Sequence, residues 1–94
     1  VITAIVMINC EVNRIPEAAQ EIAEIPGVAE VYSVTGDADL IALVRVKAHE
    51  DFADLIADRL NKIGGVVGTS THIAFRTYSS KDLEAAFSIG LDGE

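Results

Sequence analysis

Apolar positions along this chain follow two periods that alternate in a fixed order. Val1 to Cys10 (VITAIVMINC) is apolar at both odd and even positions, which predicts a central strand buried on both faces. From Arg14 to Glu24 the spacing changes. Ile15, Ala18, Ala19, Ile22 and Ile25 recur at i, i+3, i+4, i+7 and i+10, one stripe along a helix. Asn13 stands where an N-cap belongs, and Pro16 falls in the first turn, where a missing N–H is harmless. Pro26-Gly27 ends that helix. Val28 to Thr35 (VAEVYSVT) and Leu40 to Val46 (LIALVRV) return to β-branched, period-two patterning. A second helix is predicted from Glu50 to Lys62, with Phe52, Leu55, Ile56, Leu60 and Ile63 as its stripe and Gly64-Gly65 as its stop. Val66 to Tyr78 (VVGTSTHIAFRTY) reads as a fourth strand.

The order is therefore β-α-β-β-α-β, and its halves echo each other. Ile25-Pro26-Gly27-Val28 and Ile63-Gly64-Gly65-Val66 are the same helix exit at the same place in each unit. Any helix-to-strand joint favours Gly followed by Val, so shared local chemistry explains the echo as readily as duplication does. Right-handed crossovers and one hairpin fold this order into an α+β, ferredoxin-like sandwich with both helices on one face of the sheet. In the third strand Ile41 and Leu43 point one way, and Leu40, Ala42, Val44 and Val46 the other. Both faces are apolar, so the helix-free face is expected to pack on a second copy, giving a homodimer of the dimeric α+β barrel type. Beyond Tyr78, Ser79 and Ser80 can cap a short C-terminal helix. Asp82 and Glu84 would lie near its positive end, and Leu83 and Phe87 would share one side. The chain thus divides into a domain over 1–78 and a helical tail over 79–94.

Composition narrows the partners. Ninety-four residues make one domain, yet 50% are hydrophobic and only 5% aromatic, more aliphatic material than one small core needs. The surplus agrees with a partner chain. A net charge of −8 with no basic cluster argues against nucleic acid and anionic membranes. Cys10 is the one cysteine, so no intramolecular disulfide forms. The apolar opening run is too short to span a bilayer and lacks signal-peptide features, so a cytoplasmic protein is expected.

Candidate chemistry gathers at Thr35-Gly36-Asp37-Ala38-Asp39-Leu40. Gly36-Asp37 is an acceptable centre for a two-residue hairpin, because glycine adopts positive φ without a Cβ clash. Asp37, Asp39 and free backbone N–H groups then crowd one end of the sheet. Such a corner can hold a zwitterion, with the ammonium on a carboxylate and the carboxylate on N–H groups. It is equally what a plain turn contains. Asp37-x-Asp39 fails as a calcium loop, since Ala42 and Ala48 stand where Gly and Glu are needed. His49 and His72 have no companions at ligand spacing and read as surface residues. Cys10 ends its strand, away from His72 in mid-strand, and reads as a small buried residue. Thr69-Ser70-Thr71 is good strand material, and Tyr32 and Tyr78 are packing aromatics. Glu17, Glu21 and Glu24 form a solvated helix face. No catalytic set, metal-ligand set or cofactor motif emerges, and a non-enzyme is expected.

Pro26-Gly27-Val28, then Tyr32 to Leu40 (YSVTGDADL), then Gly65-Val66 followed by Thr69-Ser70-Thr71, resembles the effector domain of Lrp/AsnC regulators, also called the RAM domain. The resemblance extends to Tyr78. The family's DNA-binding helix-turn-helix has no counterpart in these residues, so the likeness is to stand-alone RAM proteins. It implies domains paired through their sheets, with the dimers assembled further, often as an octameric ring. It also implies a small effector, typically an amino acid, between neighbouring dimers. Gly36, Asp37, Ala38 and Asp39 of the loop and Thr69, Ser70 and Thr71 of the last strand would contact it. Full-length Lrp/AsnC regulators become candidate partners. Ala38 stands where the family often has a bulky residue, and the tail to Glu94 lies beyond the usual pattern. Two other classes share the fold: a small dimeric α+β barrel enzyme of the monooxygenase or isomerase type, and a purely structural partner-binding subunit.

Overall fold

The computed structural model describes residues 1–78, and the expected tail helix and the boundary after Tyr78 lie outside them. Strand β1 (Ile2–Cys10) leads through a short 3₁₀ turn (Val12–Arg14) into α1 (Ile15–Ala23). Strands β2 (Val28–Ser33) and β3 (Leu40–Val46) follow, then α2 (His49–Ala53), which continues as a π turn (Asp54–Arg59) and a 3₁₀ turn (Leu60–Lys62). Strand β4 (Val66–Ile73) closes the sheet in the order β2-β3-β1-β4, with every neighbouring pair antiparallel. That is the expected ferredoxin-like α+β arrangement.

Alternation decides the core. Ala4, Val6, Ile8 and Cys10 of β1 and Leu40, Ala42 and Val44 of β3 are buried against Ala18, Ile22, Phe52, Leu55 and Leu60 of the helical layer. The residues between them face the other way. Ile5 pairs with Leu43 and Met7 with Ile41 on the helix-free face, and Ile5 there is 39% exposed. The apolar second face read from the sequence is thus real, and it is bare among the described residues.

Local chemistry explains where elements begin and end. Asn13 lies inside the 3₁₀ turn and caps nothing, because the chain already turns at Glu11, whose carbonyl accepts from Arg14 N–H at 2.9 Å. The Arg14 side chain instead spans Glu21, at 3.2 Å, and the Gly64 carbonyl. Gly65 has φ +97°, and a Cβ there would lie 2.6 Å from Arg14 Cβ, so this helix exit needs glycine for conformation and for space. The second helix starts one residue earlier than expected, with the Ala48 N–H donating to the Asp51 carboxylate at 3.1 Å. Its π turn follows from the stripe. Leu55 and Leu60 are both buried and five apart, a spacing that an i→i+5 turn brings to one side. Strand β4 stops at Ile73 rather than Tyr78. Its neighbour β1 starts at Ile2, so the ladder runs out after Ala74 N–H reaches the Thr3 carbonyl at 2.9 Å.

Candidate functional site

The β2–β3 connection is not the expected two-residue hairpin. Strand β2 ends at Ser33 and β3 starts at Leu40, leaving residues 34–39 as a wide loop with Gly36 at φ +110°. The loop is closed by Val34 N–H donating to the Asp39 carbonyl at 3.1 Å. The cause of the width is Asp39, which is claimed by β1. Its N–H donates to the Ile8 carbonyl at 3.0 Å, and its carboxylate accepts from the Cys10 N–H at 2.8 Å. In an antiparallel ladder those two β1 groups lie on one edge, the edge facing β3. The carboxylate therefore supplies one rung beyond the last backbone bond. Ala38, only 4% exposed, is drawn in with it.

This pinning places the loop over an open cavity of about 280 Å³ at one end of the sheet. Met7 and Asn9 of β1, Gly68, Thr69 and Ser70 of β4, and Asp37 and Ala38 of the loop line it. Met7 pairs with Ser70 and Asn9 with Gly68, so these four share the helix-free face. Past Asn9 the register slips: Cys10 pairs with Val66, leaving Val67 as an extra residue in a bulge. Gly68 leaves space between the strands, since a Cβ there would meet no atom within 4 Å.

Four of the sequence-derived candidates meet here: Asp37, Ala38, Thr69 and Ser70. Three do not line the cavity. Gly36 lies at the loop tip, the Asp39 carboxylate is engaged at Cys10, and Thr71 pairs with buried Val6 on the helix side of the sheet. Period-two alternation separates Thr71 from Ser70. The Thr69 hydroxyl is itself engaged, donating to Asn61 Oδ1 at 3.1 Å. Met7, Asn9 and Gly68 were missed by sequence reasoning. A polar residue ending an apolar strand and a glycine inside a strand were the available signals.

Among the described residues, Asp37 is the one ionisable side chain in the lining. The Cys10 thiol is pushed up, first by burial and then by the Asp39 charge, so at neutral pH it stays protonated. His72 pairs with Ile5, five positions along β1 from Cys10, which leaves the thiol without a base from that residue. Tyr32 donates to the Glu30 carboxylate, which raises the phenol, on the exposed edge strand. Among the described residues, no cluster of His, Cys, Asp and Glu is able to hold a metal ion. No described helix is long and apolar enough to cross a membrane.

Residues 3–83 match the family described as the Lrp/AsnC ligand binding domain. The chain is 32% identical over 75 residues to the HTH-type transcriptional regulator FL11 of Pyrococcus horikoshii, covering 80% of this chain and 49% of the relative. The match to the HTH-type transcriptional regulator LysM of Saccharolobus solfataricus is 41% over 78 residues, covering 82% of this chain and 54% of the relative. The chain thus spans about half the length of these regulators. Among solved structures, TTHA0845 from Thermus thermophilus superposes with a TM-score of 0.80 at 47% identity, covering 84% of this chain and 99% of that one. The transcriptional regulator NMB0573 of Neisseria meningitidis, solved as a complex with L-Met, shares the fold at a TM-score of 0.76 and 16% identity, covering 83% of this chain and 52% of that one.

Proposed function

The chain belongs to the Lrp/AsnC ligand binding domain family, and on that premise we propose that it is an effector-binding and assembly module that takes a small amino acid in the cavity beneath the 34–39 loop. The observation that carries this reading is the lining. One free carboxylate, Asp37, stands among neutral hydrogen-bonding groups and small apolar walls. A zwitterion needs that combination. Its ammonium takes Asp37, and its carboxylate takes the Ser70 hydroxyl and backbone N–H groups of the loop and β4. The volume of about 280 Å³ lies just under the ~300–1,000 Å³ of ligand pockets, room for an amino acid rather than a nucleotide. The L-Met complex of NMB0573 supports an amino-acid ligand on this fold. Asp39, an ammonium candidate from sequence, becomes instead the residue that holds the loop in place.

In this reading the bare apolar sheet face builds a homodimer, and dimers associate into an octamer or similar ring that completes the open cavity. The chain acts in regulation without touching DNA itself, since a charge of −8 offers little for phosphate. Chemistry on the ligand plays no part. Isothermal calorimetry with a panel of amino acids tests the reading, with Gly68→Val as the control that fills the cavity. Heat that saturates with wild type and disappears with a folded Gly68→Val supports the site. Unchanged binding to that variant moves the site elsewhere.

A further inference from the structure

Asn9 lines the cavity and carries a neutral side chain able both to donate and to accept hydrogen bonds. It stands on the central strand β1, opposite Gly68, so no side chain from β4 covers its carboxamide at that rung. The next residue, Cys10, is fixed by the Asp39 carboxylate at 2.8 Å, which holds the backbone under Asn9 in place. Around it the lining offers Met7, Ala38 and Gly68 as apolar walls, the Ser70 hydroxyl, which lies 3.3 Å from His72 Nε2, and Asp37 as a charge, with no lysine or arginine among the described lining residues. We propose that Asn9 reads the ligand's side chain and selects one ending in a neutral hydrogen-bonding group, of which a carboxamide is the best match. The proposal rests on the cavity being the amino-acid site.

With the ligand's ammonium on Asp37, a second carboxylate on the ligand meets no lysine or arginine among the described lining residues, in a chain of net charge −8. A thioether or alkyl end of the same length covers the Asn9 carboxamide and gives it no partner, and a desolvated, unpaired polar group works against binding. A ligand carboxamide both donates to and accepts from Asn9, so the two amides satisfy each other. Sites built to hydrogen-bond a group discriminate strongly against analogues that lack it.

Three probes of similar length separate these cases: L-glutamine, L-glutamate and L-methionine, titrated calorimetrically into the full chain. Wild type is expected to bind L-glutamine at least about tenfold tighter than either of the others. Asn9→Val, which suits a strand, should lose that preference and bind L-methionine at least as well as L-glutamine. Asn9→Asp, which keeps the shape, should also lose L-glutamine preference while remaining folded by circular dichroism. Wild type binding the three equally, or Asn9→Val keeping the wild-type order, overturns the proposal. Gly68→Val separates the two levels. If it blocks every probe while the Asn9 variants change nothing, the cavity stands and the role of Asn9 falls. If it leaves binding intact, or if no probe binds wild type, both fall.

Discussion

Replacing Asp39 with alanine removes the one side-chain bond that ties the 34–39 loop to the end of β1. The Cys10 N–H that it serves belongs to a residue only 6% exposed, so the lost partner is not simply replaced by water. Hydrogen bonds to charged groups contribute about 1.5–3 kcal/mol, and the half-buried position of Asp39 lowers this to about 1–2 kcal/mol. In a domain of this size each kcal/mol moves the melting temperature by roughly 4–8 °C. Asp39→Asn keeps an acceptor in the same place without the charge and should recover about half of the loss. Urea unfolding followed by circular dichroism measures both variants. The thiol supplies a second readout. Burial and then Asp39 raise the Cys10 pKa, so removing the charge should lower the pH at which Cys10 reacts with an alkylating reagent, while burial still keeps it above the ordinary thiol range. An alanine variant as stable as wild type, with an unchanged alkylation profile, would show that the carboxylate does not hold the strand end.

Gly36→Val and Gly65→Ala separate strain from crowding. Both glycines have positive φ, but a Cβ on Gly36 meets nothing within 4 Å, whereas one on Gly65 lies 2.6 Å from Arg14 Cβ. Gly36→Val should cost about 1–2 kcal/mol of conformational strain and leave the proposed dimer intact, and Gly65→Ala should cost more, both read by urea unfolding. A Gly36 variant that dissociates to monomers in sedimentation would refute the separation of loop and sheet face. For Cys10, the raised thiol pKa means that above the ordinary value of about 8.5 the unfolded chain ionises first. Stability present at neutral pH is therefore lost as pH climbs past that value, and Cys10→Ala should show a shallower alkaline decline in unfolding free energy. Assembly should respond to ligand: one bound only by the assembled form stabilises it by about 2.7 kcal/mol at a hundredfold excess over Kd. Analytical ultracentrifugation showing a species distribution indifferent to saturating ligand would reduce the protein to a passive binder.

Much of the fold was legible because its periods are strong. Leu40, Ala42 and Val44 are all fully buried and alternate with Ile41 and Leu43 on the other face, as period two requires. The helix stripes survive too, although Leu55 and Leu60 share a side only because a π turn intervenes. What the sequence hid is long-range. Turn preferences for Gly36-Asp37 describe a hairpin considered alone, and they carry no information about a bond from Asp39 to Cys10, 29 residues away. That bond widens the loop and engages the Asp39 carboxylate at the end of β1. The Thr69-Ser70-Thr71 run was read as a block, yet a strand presents such a run to two faces, and pairing with β1 assigns Ser70 to the cavity and Thr71 to the helix side.

Register and twist together shape the cavity, and a single extra residue sets the twist at its end. With Val67 bulged out, Asn9 meets Gly68 and Met7 meets Ser70. With Val67 removed, Cys10 would keep Val66 opposite it and the ladder would run on unbroken, without the added twist that bulges give an edge strand. The opening between the strands would still exist at Gly68, but its rim would be set differently against the loop that Asp39 holds. Deleting Val67 should therefore impair ligand binding more than it impairs folding, because the β1–β4 partners from Ala4 to Cys10 are kept while the twist at the cavity rim is lost. Calorimetry beside urea unfolding decides this. A deletion variant that binds as wild type does would show that the site tolerates the regular ladder, and that the bulge serves only the edge of the sheet.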